Sequence, residues 1–212
     1  MSTKTYESCP KKHKARQETI ILPYRQHFGQ SIPKDKQYIT LCATHHDDNK
    51  KLLKGSELHQ LLEAKLITID QFVGIDYDEE IIRENREAIP DASWDFGDLY
   101  KTLIELGNNG KLNPAIVNCD LLQMPKAGTV EVAKIMALLS SFDDIMLISN
   151  CILKNRGRRC SQNEMVHYLY RHEQFKFALQ CGWKLHDNKS YGYHGTGKDY
   201  TDMGSVVFYR QK

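Results

Sequence analysis

Two acids stand directly after short apolar runs in the middle of the chain, where a nucleotide-binding edge would need them. Asp76 ends the run at 72–75, and Asp98 follows a second run at 92–96. A carboxylate at the end of the second strand of an open α/β sheet can accept two hydrogen bonds from a ribose diol. An acid in this place can also serve as the N-cap of the next helix. The sequence therefore indicates either a nucleotide-binding edge or helix capping without a ligand.

These acids need a sheet and flanking helices to position them, and the apolar pattern predicts both. Strands are predicted where β-branched and aromatic residues cluster, at 38–43, 72–75, 92–96, 114–120, 144–149, 183–185 and 205–209. Helices are predicted between them, at 56–66, 78–88, 99–106, 129–139 and 161–180. A hairpin loop is expected between the last two strands. Strands that alternate with helices are typical of an α/β fold with a parallel sheet.

The order of these elements, five β/α units and a terminal hairpin, resembles that of class I S-adenosylmethionine-dependent methyltransferases. The resemblance covers about residues 36–210 and is strongest in GIDYDEEIIRENRE and the WDFGD that follows it. It implies a Rossmann-like three-layer α/β/α sandwich, with a mostly parallel seven-stranded sheet and a C-terminal antiparallel hairpin. It also implies S-adenosylmethionine as the cofactor and methyl transfer as the reaction.

The resemblance places the cofactor along the ends of the first three strands. The acid at 76 would hold the ribose, the acid at 98 would lie near the adenine, and residues 42–44 would line the methionine portion. The cofactor-binding residues implied in this way are Cys42, Ala43, Thr44, Asp76, Tyr77 and Asp98.

The acceptor would face the end of the fourth strand, where Asn118 and Asp120 would orient it as the catalytic pair. Enzymes of this class that methylate amino groups of nucleic acids usually continue from this point with two prolines and an aromatic residue. Here Cys119, Asp120 and Leu121 follow Asn118 instead, so the resemblance leaves the acceptor atom open.

The loop after the first strand departs from the family pattern. A glycine-rich loop is usual there, because glycine lets the backbone approach the cofactor closely. Residues 42–47 are Cys-Ala-Thr-His-His-Asp, and the next glycine is Gly55. One reading is that the small Ala43 and Thr44 still permit the approach. The other is that the chain is a non-catalytic binding module on the same fold, with nucleic acid as the partner.

Two basic stretches bear on a nucleic-acid partner. Residues 1–17 are interpreted as a loosely held, solvated tail rather than a nucleic-acid-binding arm, within an extension (residues 1–35) that could cover the cofactor site. The second stretch follows the fifth strand and could neutralise phosphates, while Tyr168, Tyr191 and Tyr193 could stack on bases. It consists of Lys154, Arg156, Arg158 and Arg159. A solvated charge run is the simpler interpretation of these four residues.

Three cysteines stand at or just past the ends of strands one, four and five. Cys42, Cys119 and Cys151, with His45 and His46 close to the first, could hold zinc or form a reactive thiol site. Cysteine is also a common small apolar residue in core strands, and the sequence favours this packing role.

The segment GYHGTGK at 192–198 matches a phosphate-binding loop until Asp199 stands where Ser or Thr is needed. Such a loop needs a strand before it and a helix N-terminus after it. A strand follows here, so we interpret the segment as a loop over the substrate pocket.

Composition limits the remaining possibilities. The chain of 212 residues suits one sizeable domain (residues 36–212) after the N-terminal extension, and its net charge of +2 identifies no partner. No apolar run approaches the roughly 20 residues of a membrane span, and residues 1–16 lack the apolar core of a signal peptide. With six scattered cysteines, these features predict reduced thiols and a cytoplasmic location.

Overall fold

A computed structural model describes residues 10–120, 125–152, 154–155, 158–159, 162–186, 193–194 and 202–212. The strands are β1 (Gln37–Leu41), β2 (Phe72–Asp76), β3 (Ser93–Phe96), β4 (Pro114–Asp120), β5 (Ile145–Ile152), β6 (Lys154–Asn155), β7 (Arg158–Arg159), β8 (Lys184–Leu185), β9 (Tyr193–His194) and β10 (Asp202–Arg210). The helices are α1 (Pro10–Arg16), α2 (Leu22–His27), α3 (Glu57–Glu63), α4 (Glu79–Ala88), α5 (Leu99–Asn108), α6 (Pro125–Leu138), α7 (Gln162–Leu169) and α8 (Glu173–Gln180).

Seven strands form the central sheet in the order β3-β2-β1-β4-β5-β10-β8, and the short β9 also pairs with β10. The first five strands of this order are mutually parallel, whereas β10 is antiparallel to β5 and β8. β6 and β7 form a separate two-stranded pair. The predicted fold class, a mostly parallel sheet that ends in an antiparallel hairpin, is confirmed.

Helices cover both faces of the sheet. Successive residues of a strand point to opposite faces, and those on each face belong to a different apolar cluster. In β1, Ile39 belongs to a cluster with residues of α5 to α8, while Tyr38 belongs to a cluster with residues of α2, α3 and α4. The same alternation separates Val73 from Phe72 in β2. These two clusters are the packed layers of an α/β/α sandwich.

Side-chain caps start the helices at the predicted positions. Ser56 accepts a hydrogen bond from the backbone N–H of His59 at the start of α3, and Asp78 accepts one from Glu80 at the start of α4. A cap of this kind satisfies a backbone donor that the helix itself leaves unpaired. Cap chemistry therefore fixes the first turns of α3 and α4.

The single long helix predicted over 161–180 is wrong, because the chain forms two helices there. The break falls before α8, where His172 has extended backbone angles (φ −98°, ψ 130°). Phe175 then packs edge-on against Tyr170 and Phe208, at ring-centroid distances of 5.2 and 5.6 Å. Burial of this ring against the sheet is a tertiary effect that helical periodicity does not contain.

The N-terminal segment, defined here as residues 10–28, is folded onto the domain. A π-helical turn, Gln17–Ile21, joins α1 to α2, and Ile20, Ile21 and Tyr24 are buried in the core. His27 stacks on Tyr209 of β10 with their ring centroids 3.7 Å apart. The interpretation of a loosely held tail is therefore wrong for residues 10–17, because the apolar turn that follows them fixes them on the domain.

None of the described helices combines the length and the apolar character that crossing a membrane requires.

Candidate active site

A pocket opens where the C-terminal ends of β1, β4 and β5 meet the N-terminal segment. Its floor includes Leu41, Asn118 and Asn150, and its roof includes Arg16 and Thr19. The strand register explains this meeting point, since Thr40 pairs with Asn118 and Asp120 pairs with Asn150. Crevices at the carboxyl ends of parallel strands are the usual ligand sites of open α/β sheets.

A chain of hydrogen bonds crosses the pocket floor and ends on the roof. Asn150 donates from Nδ2 to Oδ1 of Asn118 at 2.9 Å, and Ser205 donates from Oγ to Oδ1 of Asn150. Asn118 in turn donates from Nδ2 to both carboxylate oxygens of Glu57, at 3.3 and 3.2 Å. The Glu57 network, as we call it, consists of Arg16, Tyr38, Glu57, Asn118, Asn150 and Ser205.

Glu57 is the acceptor on which this network converges. The buried hydroxyl of Tyr38 donates to its Oε1 at 2.8 Å, and Nε of Arg16 lies 3.5 Å from its Oε2. Burial, followed by the negative charge of Glu57, holds the pKa of Tyr38 well above its ordinary value. Arg16 also donates to the backbone oxygen of Gly55 at 3.1 Å, so the same residue ties α1 to the start of α3.

Asp120 is the acid in the pocket that the network leaves out. Its Oδ1 is buried and accepts no hydrogen bond from any described residue. Burial, followed by the charge of Glu57, raises the pKa of Asp120 to about 6, whereas Lys12 and Arg16 act in the opposite direction. A carboxyl group tuned in this way can exchange a proton near neutral pH.

His45 lies between the pocket and the core. Its ring packs against those of Phe72 and Trp94, at centroid distances of 5.3 and 5.7 Å. Burial lowers the pKa of His45 to about 4, so the imidazole is neutral at physiological pH. Its Nδ1 is buried and has no hydrogen-bond partner among the described residues. The ring is therefore a polar group that a ligand in the pocket could satisfy.

The loop between β1 and α3 folds as a small hairpin. The carboxylate of Asp47 accepts from the backbone N–H groups of Asn49 and Lys51, each at 2.9 Å, and His46 bridges to Leu52. Lys50 takes the left-handed conformation that the tight turn requires (φ 55°). The hydrogen bonds of Asp47 and the left-handed conformation of Lys50 thus form a tight turn without the glycines that the family pattern has in this loop.

Asn85 holds the first part of this loop in place. This side chain of α4 is fully buried; it accepts from the backbone N–H of His45 at 2.9 Å and donates to the backbone oxygen of Ala43 at 3.0 Å. A two-point amide contact fixes both the position and the orientation of the loop backbone. Asn85 therefore sets how closely residues 43–45 approach the pocket.

We expect Asn85→Ala to lower the free energy of unfolding by about 2 kcal/mol, because two buried backbone groups lose their partners. The amide hydrogen of His45 should exchange with solvent faster in this variant. Urea unfolding and amide hydrogen exchange measure the two effects. Arg83→Ala, at an exposed position of the same helix, should change stability by less than about 0.5 kcal/mol. If amide exchange at His45 were unchanged in Asn85→Ala, the position of the loop would not depend on the hydrogen bonds of Asn85.

Four of the residues predicted for the site line this pocket together: Ala43, Thr44, Asn118 and Asp120. The first two come from the hairpin loop and the last two from the end of β4. Asn118 donates from Nδ2 to the carboxylate of Glu57 and accepts from Asn150, so in this structure its amide connects parts of the site.

The other predicted site residues lie outside the pocket. Asp76 ends β2, is 9% exposed, and accepts from the backbone N–H of Asp78 at 2.9 Å. Burial raises the pKa of Asp76. Tyr77 is 82% exposed beside it, and Asp98 caps α5 by accepting from the backbone N–H of Lys101 at 3.1 Å. Cys42 is buried in the core, where its Cβ approaches Gly74.

The edge at Asp76 is nevertheless continuous with the pocket. The backbone N–H of Cys42 donates to the oxygen of Ile75 at 2.8 Å, so Ala43 and Asp76 follow paired strand ends. Phe96, which pairs with Asp76 across the sheet, is 59% exposed. A carboxylate, two exposed aromatic rings and the polar pocket thus follow one another along the sheet edge.

The three strand-end cysteines do not meet. Cys42 packs in the apolar cluster on one face of the sheet, and Cys119 and Cys151 pack in the cluster on the other. Burial raises the pKa of each thiol, to about 12 for Cys151 and well above the ordinary value for Cys119. No group of three metal-binding side chains occurs in the described part of the chain. These cysteines act as small core residues.

The predicted nucleic-acid contacts lie where the structure describes little. Residues 1–9 and Arg156 are outside the described residues, and so are the side chains of Lys154, Arg158 and Arg159. Of the glycine-rich segment 192–198, only the backbone of Tyr193–His194 is described, as β9. Both interpretations therefore remain predictions.

The residues of the site that the sequence did not reveal include Arg16, Glu57 and Asn85. Glu57 carried a signal, since it follows a good N-cap at the start of a predicted helix after β1. Arg16 could not be distinguished from the other bases of its segment. Asn85 lies on the buried face of α4 with Ile82, and only the tertiary fold brings its amide to the loop.

The comparisons with known proteins agree with this architecture. The fold is similar to that of the O-methyltransferase from Bacillus cereus in complex with SAH, with a TM-score of 0.54 and 12% identity over 97% of this chain and 84% of that one. It is also similar to a S-adenosylmethionine-dependent methyltransferase from Clostridium acetobutylicum, with a TM-score of 0.50 and 10% identity over 94% and 92% of the two chains. No family model and no curated protein sequence matches the chain. The chain has the Rossmann-like fold of class I S-adenosylmethionine-dependent methyltransferases.

Proposed function

We propose that this protein transfers a methyl group from S-adenosylmethionine to an acceptor bound in the pocket below the N-terminal segment. The observation that carries the proposal is the meeting of Ala43 and Thr44 with Asn118 and Asp120 in one polar pocket. In this fold, that place lies at the carboxyl ends of β1 and β4, next to the acid that ends β2. Polar groups with unsatisfied buried atoms there are suited to a polar ligand.

The residues present fit the cofactor's functional groups. Asp76 has a carboxylate at the end of β2, with one oxygen held by the N–H of Asp78, and it would accept hydrogen bonds from the ribose diol. The exposed rings of Tyr77 and Phe96 would flank the adenine, near Asp98. The backbone of Ala43 and Thr44, held by Asn85, would line the methionine portion.

The charges of the pocket suit a ligand end that carries both an ammonium and a carboxylate. Its lining contains the bases Lys12 and Arg16 and the acids Glu57 and Asp120. Groups of both charges in the lining of one partly closed pocket can orient such a ligand end with little net charge to compensate. His45 adds a neutral ring nitrogen.

Catalysis in this proposal rests mainly on positioning. When bound, the cofactor supplies a methyl group that is already activated on a sulfonium. The protein then has to hold the acceptor in line and keep water out, which effective concentration and orientation can accomplish. The Glu57 network fixes the floor of the pocket, and the N-terminal segment closes it from above.

A second candidate is a non-catalytic module on the same fold, with nucleic acid as its partner. The hairpin after β1 supports this candidate, because its backbone is committed to its own turn and to Asn85 instead of to a ligand. Binding of this kind would weaken steeply as the salt concentration rises, since it would depend on phosphate neutralisation.

Calorimetric titration with S-adenosylhomocysteine tests the proposed function without knowledge of the acceptor. We expect wild type to bind with a micromolar Kd and Asp76→Ala to bind at least about tenfold more weakly, because the ribose loses its acceptor. Asp70→Ala is the matched control, since this exposed acid stands just before the other end of the same strand. Absence of binding to wild type, combined with salt-sensitive binding of single-stranded DNA, would favour the non-catalytic module.

A further inference from the structure

We infer that His27 and His186 form a pH-sensitive contact, which holds the end of the N-terminal segment on the sheet at neutral pH and releases it in acid. The histidine pair, as we call these two residues, does not line the pocket, and the inference does not depend on the proposed function. His27 is the last residue of α2, and His186 directly follows β8. Nε2 of His27 and Nδ1 of His186 lie 2.8 Å apart, although 159 positions separate the two residues in the sequence.

The surroundings of the histidine pair hold both residues in place. The ring of His27 stacks on that of Tyr209 in β10, with the two planes 16° apart, and Gln211 donates to the backbone oxygen of His27. The backbone N–H of His186 donates to the oxygen of Val207 at 2.9 Å, which ties this residue to β10 as well. The histidine pair therefore joins the N-terminal segment to the last strands of the sheet.

The chemistry of imidazole makes this contact sensitive to acid. A hydrogen bond between two imidazoles needs one ring nitrogen that donates and one that accepts, so at least one of the rings must be neutral. When both rings are protonated, both nitrogens are donors, and two positive charges face each other at contact distance. Histidine is the side chain whose ordinary pKa lies in the physiological range, so mild acid is enough to break such a pair.

The groups that pack against His27 increase this sensitivity. Burial lowers the pKa of His27, and His186 and Lys184, which is in β8, act in the same direction. Tyr209 in β10 contacts His27 with its ring, and Gln211 contacts it with its amide. The docked helix end thus disfavours the protonated ring, whereas a released end leaves the pKa near the ordinary value of 6.5. Protons bind the released state more tightly, so its population rises as the pH falls below 6.5.

The release is local, because other contacts of α2 do not involve the histidine pair. Arg25 of the same helix donates to the backbone oxygen of Ala64 in either state of the pair. What loosens is the last turn of the helix, which is closed by a hydrogen bond of 2.8 Å from the backbone N–H of Phe28 to the oxygen of Tyr24. The pH thus acts on the end of the segment whose middle part forms the roof of the pocket, without unfolding the domain.

Amide hydrogen exchange at Phe28, measured at pH 7.5 and pH 5.5 and corrected for the intrinsic exchange rates, tests the inference. In wild type we expect the protection of this amide to fall about threefold or more in acid, while amides of β4 keep their protection. His186→Asn should abolish the fall, because an asparagine amide can donate to neutral His27 and accept from protonated His27. His27→Gln should abolish it in the same way, by pairing with either form of His186. His167→Gln, at an exposed position of α7, should preserve it.

A second measurement does not depend on exchange rates. The pKa of His27, followed by NMR, should be higher in His186→Asn than in wild type, because a neighbour that disfavours the protonated ring is removed. An unchanged pKa would overturn the coupling of the two rings. Protection of Phe28 that does not change with pH in wild type, a change that persists in both variants, or an equal loss of protection in β4 would overturn the local release.

Discussion

Replacement of Glu57 by alanine is expected to lower the free energy of unfolding by about 3 to 5 kcal/mol. Three donors lose their shared acceptor in this variant: the buried hydroxyl of Tyr38, the amide of Asn118 and the guanidinium of Arg16. A buried donor left without a partner costs about 1 to 3 kcal/mol. Arg16 keeps its hydrogen bond to the backbone oxygen of Gly55, so its guanidinium contributes less to the loss of stability than the other two donors.

The same variant should loosen the roof of the pocket. With Glu57 gone, amide hydrogens in α1 should exchange faster, while those in β1 stay protected by the sheet. Glu63→Ala is the control, because this acid ends the same helix with a side chain that is 75% exposed. The control should lie within about 0.5 kcal/mol of wild type in urea unfolding. If Glu57→Ala matched the control, the Glu57 network would not hold the N-terminal segment.

The second large effect concerns the free energy of unfolding, to which His45 and Asp120 contribute with opposite dependences on pH. His45 has a pKa of about 4 in the folded protein, below the ordinary value of 6.5, so the unfolded chain takes up the proton first as the pH falls. The stability that neutral His45 contributes is therefore present above pH 6.5 and is lost towards pH 4. Its size is about 3 kcal/mol, at 1.36 kcal/mol for each pKa unit.

Asp120 works in the other direction. Its pKa of about 6 in the folded protein lies above the ordinary value of 3.8, so the folded protein takes up the proton first. The stability contributed by the protonated acid is present below pH 3.8 and is lost as the pH rises through 6. The loss at neutral pH is also about 3 kcal/mol. In wild type the two contributions largely offset each other between pH 4 and pH 6.

Two variants separate these contributions in urea unfolding between pH 7 and pH 4. Relative to wild type, His45→Gln should gain about 3 kcal/mol over this descent, and Asp120→Asn should lose about 3 kcal/mol. His59→Gln and Asp91→Asn, at residues that do not line the pocket, are the matched controls. Parallel curves for all four variants would contradict the assigned environments of His45 and Asp120.

The fold was predictable because its signals are local and repeated. The β-branched and aromatic runs gave the seven main strands, and Ser56 and Asp78 marked the starts of α3 and α4 through cap chemistry. The break before α8 was not predictable, since the pattern from 161 to 180 suits one continuous helix. The turn at His172 accompanies the packing of Phe175 against Phe208 of β10, a contact between distant parts of the chain that the local pattern does not contain.

The candidate site was predictable only in part, for a related reason. Parallel strands bring their carboxyl ends to one edge, so Asn118, Asp120 and the residues after β1 could be placed together from strand assignments alone. The partners that orient them come from distant sequence positions. Arg16 reaches Glu57 across 41 residues of chain, and Asn85 reaches Ala43 with a separation of 42. No local pattern encodes such contacts.

The central claim is that the edge from Asp76 to Asn118 is a cofactor site, and a crystal structure with S-adenosylhomocysteine tests it most directly. We expect the ribose hydroxyls at the carboxylate of Asp76, the adenine beside Tyr77 and Phe96, and the amino-acid end in the pocket next to Thr44. A ligand bound elsewhere on the protein, or crystals grown with the compound that do not contain it, would contradict this assignment of the site.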